Sequence, residues 1–290
     1  MLGRIYKSIT RQKWELGFVR NSLEEIVKGN PLNVEWVKHD YKDRWFADPF
    51  ILDVTHDEII LLVEELKYMD NKGVISRIVV DRHSLKIIER KTILELSTHL
   101  SFPAIIRKDN RIYIYPENSA SGKLKLYEYD VNKDKCIEIK VLCDAPLTDA
   151  ILLSYENDKY IFSTKLSNPN GQEVDVYKLT DGGFIPYSKF KFNESIARNA
   201  GDFFILNEKI FRPAQECNSK YGHSISIQEL SVADGNITLT EVTRLSNPSK
   251  YMTEGFHTLN SYKGITVIDV RGFNHYRVGK FLFRLKNCFN

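Results

Sequence analysis

A unit of roughly 50 residues recurs along this chain, and each copy opens on a small-residue or acidic turn that feeds an apolar run. The openings read ADPFIL at Asp48, SFPAII at Phe102, TDAILL at Asp149, AGDFFIL at Asp202 and GFHTLNSY at His257. After each comes a short polar turn and a second strand-like run ending in charged or polar residues: IILLVEEL, IYIYPEN, YIFSTK, IFRPAQE and ITVIDVR. Two apolar runs joined by a short polar loop read as a hairpin. A fixed period of this length with no helical pattern inside it predicts an all-β fold, a five-bladed β-propeller.

Residues 1–47 precede the first opening and hold two strand-like pieces, KWELGFV and NVEWV. The last repeat is short of an outer strand, so the division expected is an N-terminal segment, 1–47, completing the last blade, a propeller over 48–275 and a basic tail over 276–290. A ring closed by an N-terminal strand leaves no free sheet edge to invite aggregation. The tail RVGKFLFRLKNCFN reads either as a short amphipathic helix with Phe281, Leu285, Cys288 and Phe289 on one side, or as a last strand FLFRL. As a basic amphipathic helix it can make weak peripheral contact with an anionic membrane.

Composition sets limits on partners. A formal net charge of +3, with Lys and Arg spread along 290 residues, gives no basic stripe for nucleic acid. No apolar run approaches the roughly 20 residues needed to cross a bilayer, and the polar N-terminus does not read as a secretory signal. Four cysteines with no CxxC spacing read as reduced thiols. The expected location is cytoplasmic, with peripheral membrane contact the alternative through the tail.

The repeat also sorts residues by end. If the first strand of each blade starts at one mouth of the central channel, the second, antiparallel strand returns to it. This brings Asp48, Glu64 or Glu65, His99, Glu117, Asp149, Lys165, Arg198, Arg212, Gln215, His257, Asp269 and Arg271 around one funnel, with Trp45, Phe46, Phe102 and Tyr221 as flat walls for sugar rings. For each there is a plainer structural role. An Asp before Pro often caps a turn, neighbours such as Glu64 and Glu65 point to opposite faces of a strand, and arginines in a cleft often tie blades together as ion pairs.

The order RWFADPFIL, VEE, THLSFP, IYPEN, LTDAILL, ARNAGDFF, FRPAQEC and GFHTLN resembles the β-propeller domain at the N-terminus of plant glucosamine inositolphosphorylceramide transferase and its stand-alone bacterial relatives. More distantly it is similar to five-bladed glycoside hydrolases such as arabinanases, invertases and levansucrases. The distant resemblance implies three acids from the first three blades: base or nucleophile, modulator, and general acid. Here the openings supply Asp48, then Phe102, then Asp149, so the second acid is missing and the third is an Asp where a Glu is usual.

Asp48 is the expected base, and Glu117 or Asp149 the expected acid with its pKa raised by burial. Trp45, Glu65, His99, Arg198, Arg212, Gln215, Tyr221, His257 and Arg271 are the expected binding residues. So many arginines exceed what a neutral glycan needs and suit a charged sugar, a nucleotide-sugar or a surface glycan. The function expected is a glycosidase-like or glycosyl-transfer enzyme, the alternative a non-catalytic sugar-binding or docking module serving a glycosyltransferase. No spacing identifies a cofactor, although an oxygen-lined channel can hold a structural cation.

Overall fold

The computed structural model describes residues 9–233 and 236–288. Five four-stranded antiparallel sheets form five blades. Blade 1 is β3 (Arg44–Val54), β4 (Glu58–Lys67), β5 (Gly73–Asp81) and β6 (Ile87–Leu94). Blade 2 is β7 (Ser101–Lys108), β8 (Arg111–Glu117), β9 (Leu124–Asp130) and β10 (Lys135–Cys143). Blade 3 is β11 (Leu147–Tyr155), β12 (Asp158–Lys165), β13 (Glu173–Thr180) and β14 (Gly183–Lys191). Blade 4 is β15 (Phe204–Leu206), β16 (Lys209–Glu216), β17 (Ser224–Ala233) and β18 (Asn236–Leu245).

Blade 5 closes the ring. Its order is β19 (Leu259–Tyr262), β20 (Ile265–Phe273), β1 (Gln12–Val19) and β2 (Val34–Trp36), so the N-terminal segment contributes two strands rather than one. β1 pairs with β20 from Gln12 opposite Phe273 to Val19 opposite Thr266. Gly17 permits the next pairing, because a Cβ there would stand 2.4 Å from Val34 and 2.9 Å from Trp36. Between β1 and β2 runs a one-turn helix, α1 (Leu23–Val27), started by a capping box of Ser22 and Glu25 and anchored by buried Ile26.

Strand position explains the sequence patterns. Second strands are covered on both faces by neighbouring blades, so β4 reads as an almost continuous apolar run; outermost β18 alternates buried and exposed residues because one face meets water. The core lies between blades. One apolar cluster joins blades 1, 2 and 3 through Phe50, Phe102, Tyr115 and Ile151, and another joins blades 5 and 1 through Leu16, Phe18, Phe46 and Leu61.

The tail is a helix, α2 (Tyr276–Cys288), rather than a strand. Lys280 ties it down, donating to Thr253 Oγ1 at 2.8 Å and pairing with Glu254 at 2.8 Å. Val278, Phe281 and Leu285 remain exposed on it; the Cys288 side chain and Phe289 lie outside the described residues. Among the described residues no helix is long and apolar enough to cross a membrane.

Candidate functional site

The first three blade openings share one local device. Asp48, Phe102 and Asp149 adopt left-handed φ values of 49°, 47° and 42°, and each sits in a bulge where strand pairing skips from Ala47 to Phe50, Ser101 to Ala104 and Thr148 to Ile151. Such a conformation costs a non-glycine residue on the order of 1–3 kcal/mol, and it recurs here because each bulge is held by bonds to the next blade. In blades 4 and 5 the device is absent: Asp202 and His257 precede inner strands of only three and four residues.

Asp48 joins three blades. Its Oδ2 accepts from the Phe102 backbone N–H at 3.0 Å, its Oδ1 accepts from Thr258 Oγ1 at 3.0 Å, and its own N–H donates to Asp269 Oδ2 at 2.9 Å. Asp269, with no exposed surface, also accepts from His257 Nδ1 at 2.8 Å and from the Thr258 N–H at 3.0 Å. That bond directs His257 Nε2 toward Asp48 Oδ1, 3.4 Å away. Trp14 stacks on the imidazole at 3.9 Å between ring centres. Burial pushes Asp48 up to about 7, against the pull of His257 and with the repulsion of Glu64, Asp149 and Asp269 adding to it. Burial also opposes charge on His257, but Asp269 and Asp48 outweigh it and hold the imidazole above its usual range. Asp48, His257 and Asp269 therefore form one continuous buried chain of acid–imidazole contacts.

A second cluster spans blades 2, 3 and 4. The Asp149 N–H donates to Glu117 Oε2 at 2.8 Å, while Asp149 Oδ2 accepts from Arg198 Nε at 2.6 Å and Gln215 Nε2 at 2.9 Å. Arg198 Nη1 donates to Asn170 Oδ1 at 2.9 Å. Burial would raise Asp149, yet Arg198 more than cancels it and holds this carboxylate below the ordinary range. Burial and the negative Asp149 push Glu117 well above it. Two neighbouring acids are thus driven in opposite directions, Glu117 toward its neutral form by burial and Asp149 toward its ionised form by Arg198.

Tyr221 joins the clusters. Its ring meets His257 edge-on at 5.4 Å, with the Arg198 guanidinium 4.9 Å and the Arg271 guanidinium 5.3 Å from its centre. Gly222 follows at a φ of 55°, and a Cβ there would stand 2.6 Å from His257 Cβ, so the loop lies directly on the imidazole. On the blade 1 side, Glu64 pairs with half-exposed His99 Nε2 at 3.0 Å, and the Gly73 N–H donates to His99 Nδ1 at 3.0 Å.

Three expected residues sit apart from this assembly. Glu65 bonds Arg44 at 2.6 Å, Ser76 Oγ at 2.6 Å and Arg90 inside blade 1, so of the adjacent pair it is Glu64 that approaches Asp48. Arg212 is wholly buried within blade 4, donating to Asn199 Oδ1 at 2.7 Å, Gln228 Oε1 at 2.6 Å and the Ala197 carbonyl; burial without a carboxylate partner lowers it to about 9. Strand alternation puts Arg212 and Gln215 on opposite faces of β16. Trp45 pairs across the strand with Leu66 and is half-buried. Trp14 was not among the expected site residues, although it stands opposite Arg271 once β1 is set beside β20.

As to ions, Asp48, His257 and Asp269 bring three ligand atoms within 4.8 Å of one another. These atoms are already engaged with one another, His257 Nδ1 with Asp269 Oδ1 and His257 Nε2 with Asp48 Oδ1. A cavity of about 410 Å³ at the edge of blade 3, lined by Lys165, Asn170, Gln172, Glu173, Lys191 and Ser195, includes the Asn170 that holds Arg198.

Solved structures of glycoside hydrolases superpose on this five-bladed propeller. A thermostable family-43 glycoside hydrolase matches with a TM-score of 0.56 at 14% identity, over 83% of this chain and 89% of its own. A family 117 glycoside hydrolase from Zobellia galactanivorans matches with a TM-score of 0.53 at 9% identity, over 89% and 90%. At these identities the likeness is one of fold. The sequence is more specific: residues 30–266 match the family described as glucosamine inositolphosphorylceramide transferase 1, N-terminal, and the chain belongs to it. Glucosamine inositolphosphorylceramide transferase 1 of Arabidopsis thaliana is 27% identical over 205 residues, 65% of this chain and 26% of the relative. The protein of the same name from Oryza sativa subsp. indica is 28% identical over 147 residues, 47% of this chain and 20% of the relative. The chain therefore spans about a quarter or less of the curated relatives it matches.

Proposed function

We propose that this propeller binds a sugar carrying an anionic group at the funnel mouth and acts on its glycosidic bond. The observation that carries the reading is the split between Glu117 and Asp149. A carboxyl kept neutral beside an ionised neighbour is suited to protonate a leaving-group oxygen. Glu117 and Asp149 are held as neighbours, the Asp149 N–H donating to Glu117 Oε2 and Arg198 reaching both carboxylates. Asp149 then tunes the acid rather than acting as the base. The partner carboxylate is Asp48, whose exchange of a proton with His257 lets it accept one from water or an acceptor hydroxyl. Arg198 and Arg271, with Tyr221 between them, supply cationic and flat surface for an anionic sugar, a nucleotide-sugar or a sugar phosphate. In the setting of surface-glycan synthesis, such a propeller would work beside a glycosyltransferase.

One observation favours the alternative of a non-catalytic binding module. Both oxygens of Asp48 already have protein partners, and its side chain is only 7% exposed. The two readings separate in one experiment on Glu117→Gln, which keeps the shape of the acid without its titrating proton. Thermal shift and turnover are measured against acidic oligosaccharides, sugar phosphates and nucleotide-sugars. The enzyme reading expects ligand-induced stabilisation to survive while turnover falls by roughly 10²–10⁴. Unchanged turnover in the variant, or ligand binding without turnover in the wild type, sinks the catalytic reading and leaves the module.

A further inference from the structure

A second group of metal-ligating side chains lies at the opposite end of blade 1. Val54 lies six positions beyond Asp48 on β3, which at about 3.3 Å per residue puts the following turn roughly 20 Å along the strand from Asp48. There the β3–β4 turn presents His56 and Asp57, and the β5–β6 turn presents His83.

The two turns are docked rather than merely adjacent. The Arg82 N–H donates to the Asp57 carbonyl at 2.8 Å and Arg82 Nη1 donates to the Thr55 carbonyl at 3.0 Å, which uses the nearest cationic side chain to fix the backbone. Asp81 Oδ1 accepts from the Ser84 N–H at 2.7 Å and from its hydroxyl at 2.6 Å, closing the second turn around His83. Two imidazoles and a carboxylate then meet: Asp57 Oδ1 is 2.7 Å from His56 Nδ1 and 3.5 Å from His83 Nε2, and one ligand atom from each residue falls within 4.8 Å of the others.

We propose that His56, Asp57 and His83 form a binding site for a borderline transition-metal ion of the zinc class. A tetrahedral ion with bonds of about 2.0–2.1 Å holds its ligand atoms about 3.3 Å apart. The Asp57–His83 separation of 3.5 Å is close to that value; the shorter Asp57–His56 contact is a hydrogen bond that a metal would replace. Two nitrogens and one oxygen select zinc, nickel or copper over calcium or magnesium, which take oxygen. The side chains are 89%, 70% and 70% exposed, which leaves room for water to complete the shell. A metal here staples the two turns of blade 1 at the face remote from the acids.

The test is isothermal titration of Zn²⁺ into the full chain without a histidine tag, run beside His56→Ala, His83→Ala and Asp57→Asn, with Mg²⁺ as the hard-ion control. All three positions are exposed, so the variants should fold, and near-ultraviolet circular dichroism verifies it. The expected result is one zinc per chain, with affinity at least tenfold weaker in each histidine variant and no Mg²⁺ binding. Equal zinc affinity in wild type and His83→Ala would mean that the ion sits elsewhere, on the cysteine thiols for example, and would overturn the proposal. Failure of the wild type to bind zinc would overturn it equally.

Discussion

The Asp48 cluster and the Glu117–Asp149 cluster are built on the same strained blade opening, yet one is closed by a histidine and the other by an arginine. Next to His257, a base that can gain or lose its proton, Asp48 rises to about 7 and the pair shares charge. Next to Arg198, which stays charged, Asp149 is held below the ordinary carboxylate range, and its charge adds to burial in pushing its neighbour Glu117 up. The cation beside a buried acid decides whether that acid titrates near neutral pH or imposes its charge on the next.

The comparison is broken most severely by removing the fixed cation. Arg198→Met leaves Asp149 buried and uncompensated, and losing one partner of a buried ion pair costs about 3–5 kcal/mol. Urea denaturation should show that loss, and double substitution with Asp149→Asn should recover a large part of it. If Arg198→Met costs under about 1 kcal/mol, Asp149 is not the locked anion described here.

The next effect is on pH dependence. Asp48 and His257 both have folded pKa values raised above their unfolded ones, so the folded state holds protons that the unfolded state has released. The contribution of Asp48 is fully present below the unfolded carboxylate range and is lost as pH rises to about 7. Stability should therefore fall between about pH 4 and pH 7, by at most about 1.4 kcal/mol per pH unit for this one proton. Asp149, lowered, acts in the other direction and weakens the fold only as pH drops below the ordinary carboxylate range. Asp48→Asn should flatten the decline, and an unchanged slope in that variant would assign the proton elsewhere.

The smallest effect falls outside both clusters. His99 pairs with Glu64 while 47% of its side chain faces solvent. His99→Ala should cost under about 1 kcal/mol and remove only the small decline in stability that its pKa, raised by Glu64, adds as pH rises past the ordinary imidazole range. A larger change would mean that Glu64 belongs to the Asp48 proton chain.

The fold was legible because a propeller repeats its errors and signals alike: five openings at a near-constant period outweigh any single weak strand. Two boundaries were not. NVEWV reads as strand-like, but the strand Val34–Trp36 is only three residues long, and its place as the outer strand of blade 5 follows only from its pairing with β1. The tail had two readings, since FLFRL is short and apolar enough for either, and docking of Lys280 on Glu254 belongs to tertiary structure alone. At the site, Asp48, Glu117, Asp149, Arg198, Gln215 and His257 follow from the repeat because they share one strand end. Glu65 and Arg212 point away from the assembly, because sequence alone does not say which of the two faces of β4 or β16 meets the funnel. Trp14 needed the β1–β20 register, a contact between the two ends of the chain.

The most direct test of the split between the two acids is difference infrared spectroscopy at pH 8, where Asp48 is largely ionised. The wild type should show one protonated buried carboxyl band that disappears in Glu117→Gln and persists in Asp48→Asn. Absence of that band from the wild type, or its survival in Glu117→Gln, would contradict the assignment of Glu117 as the neutral acid beside an ionised Asp149.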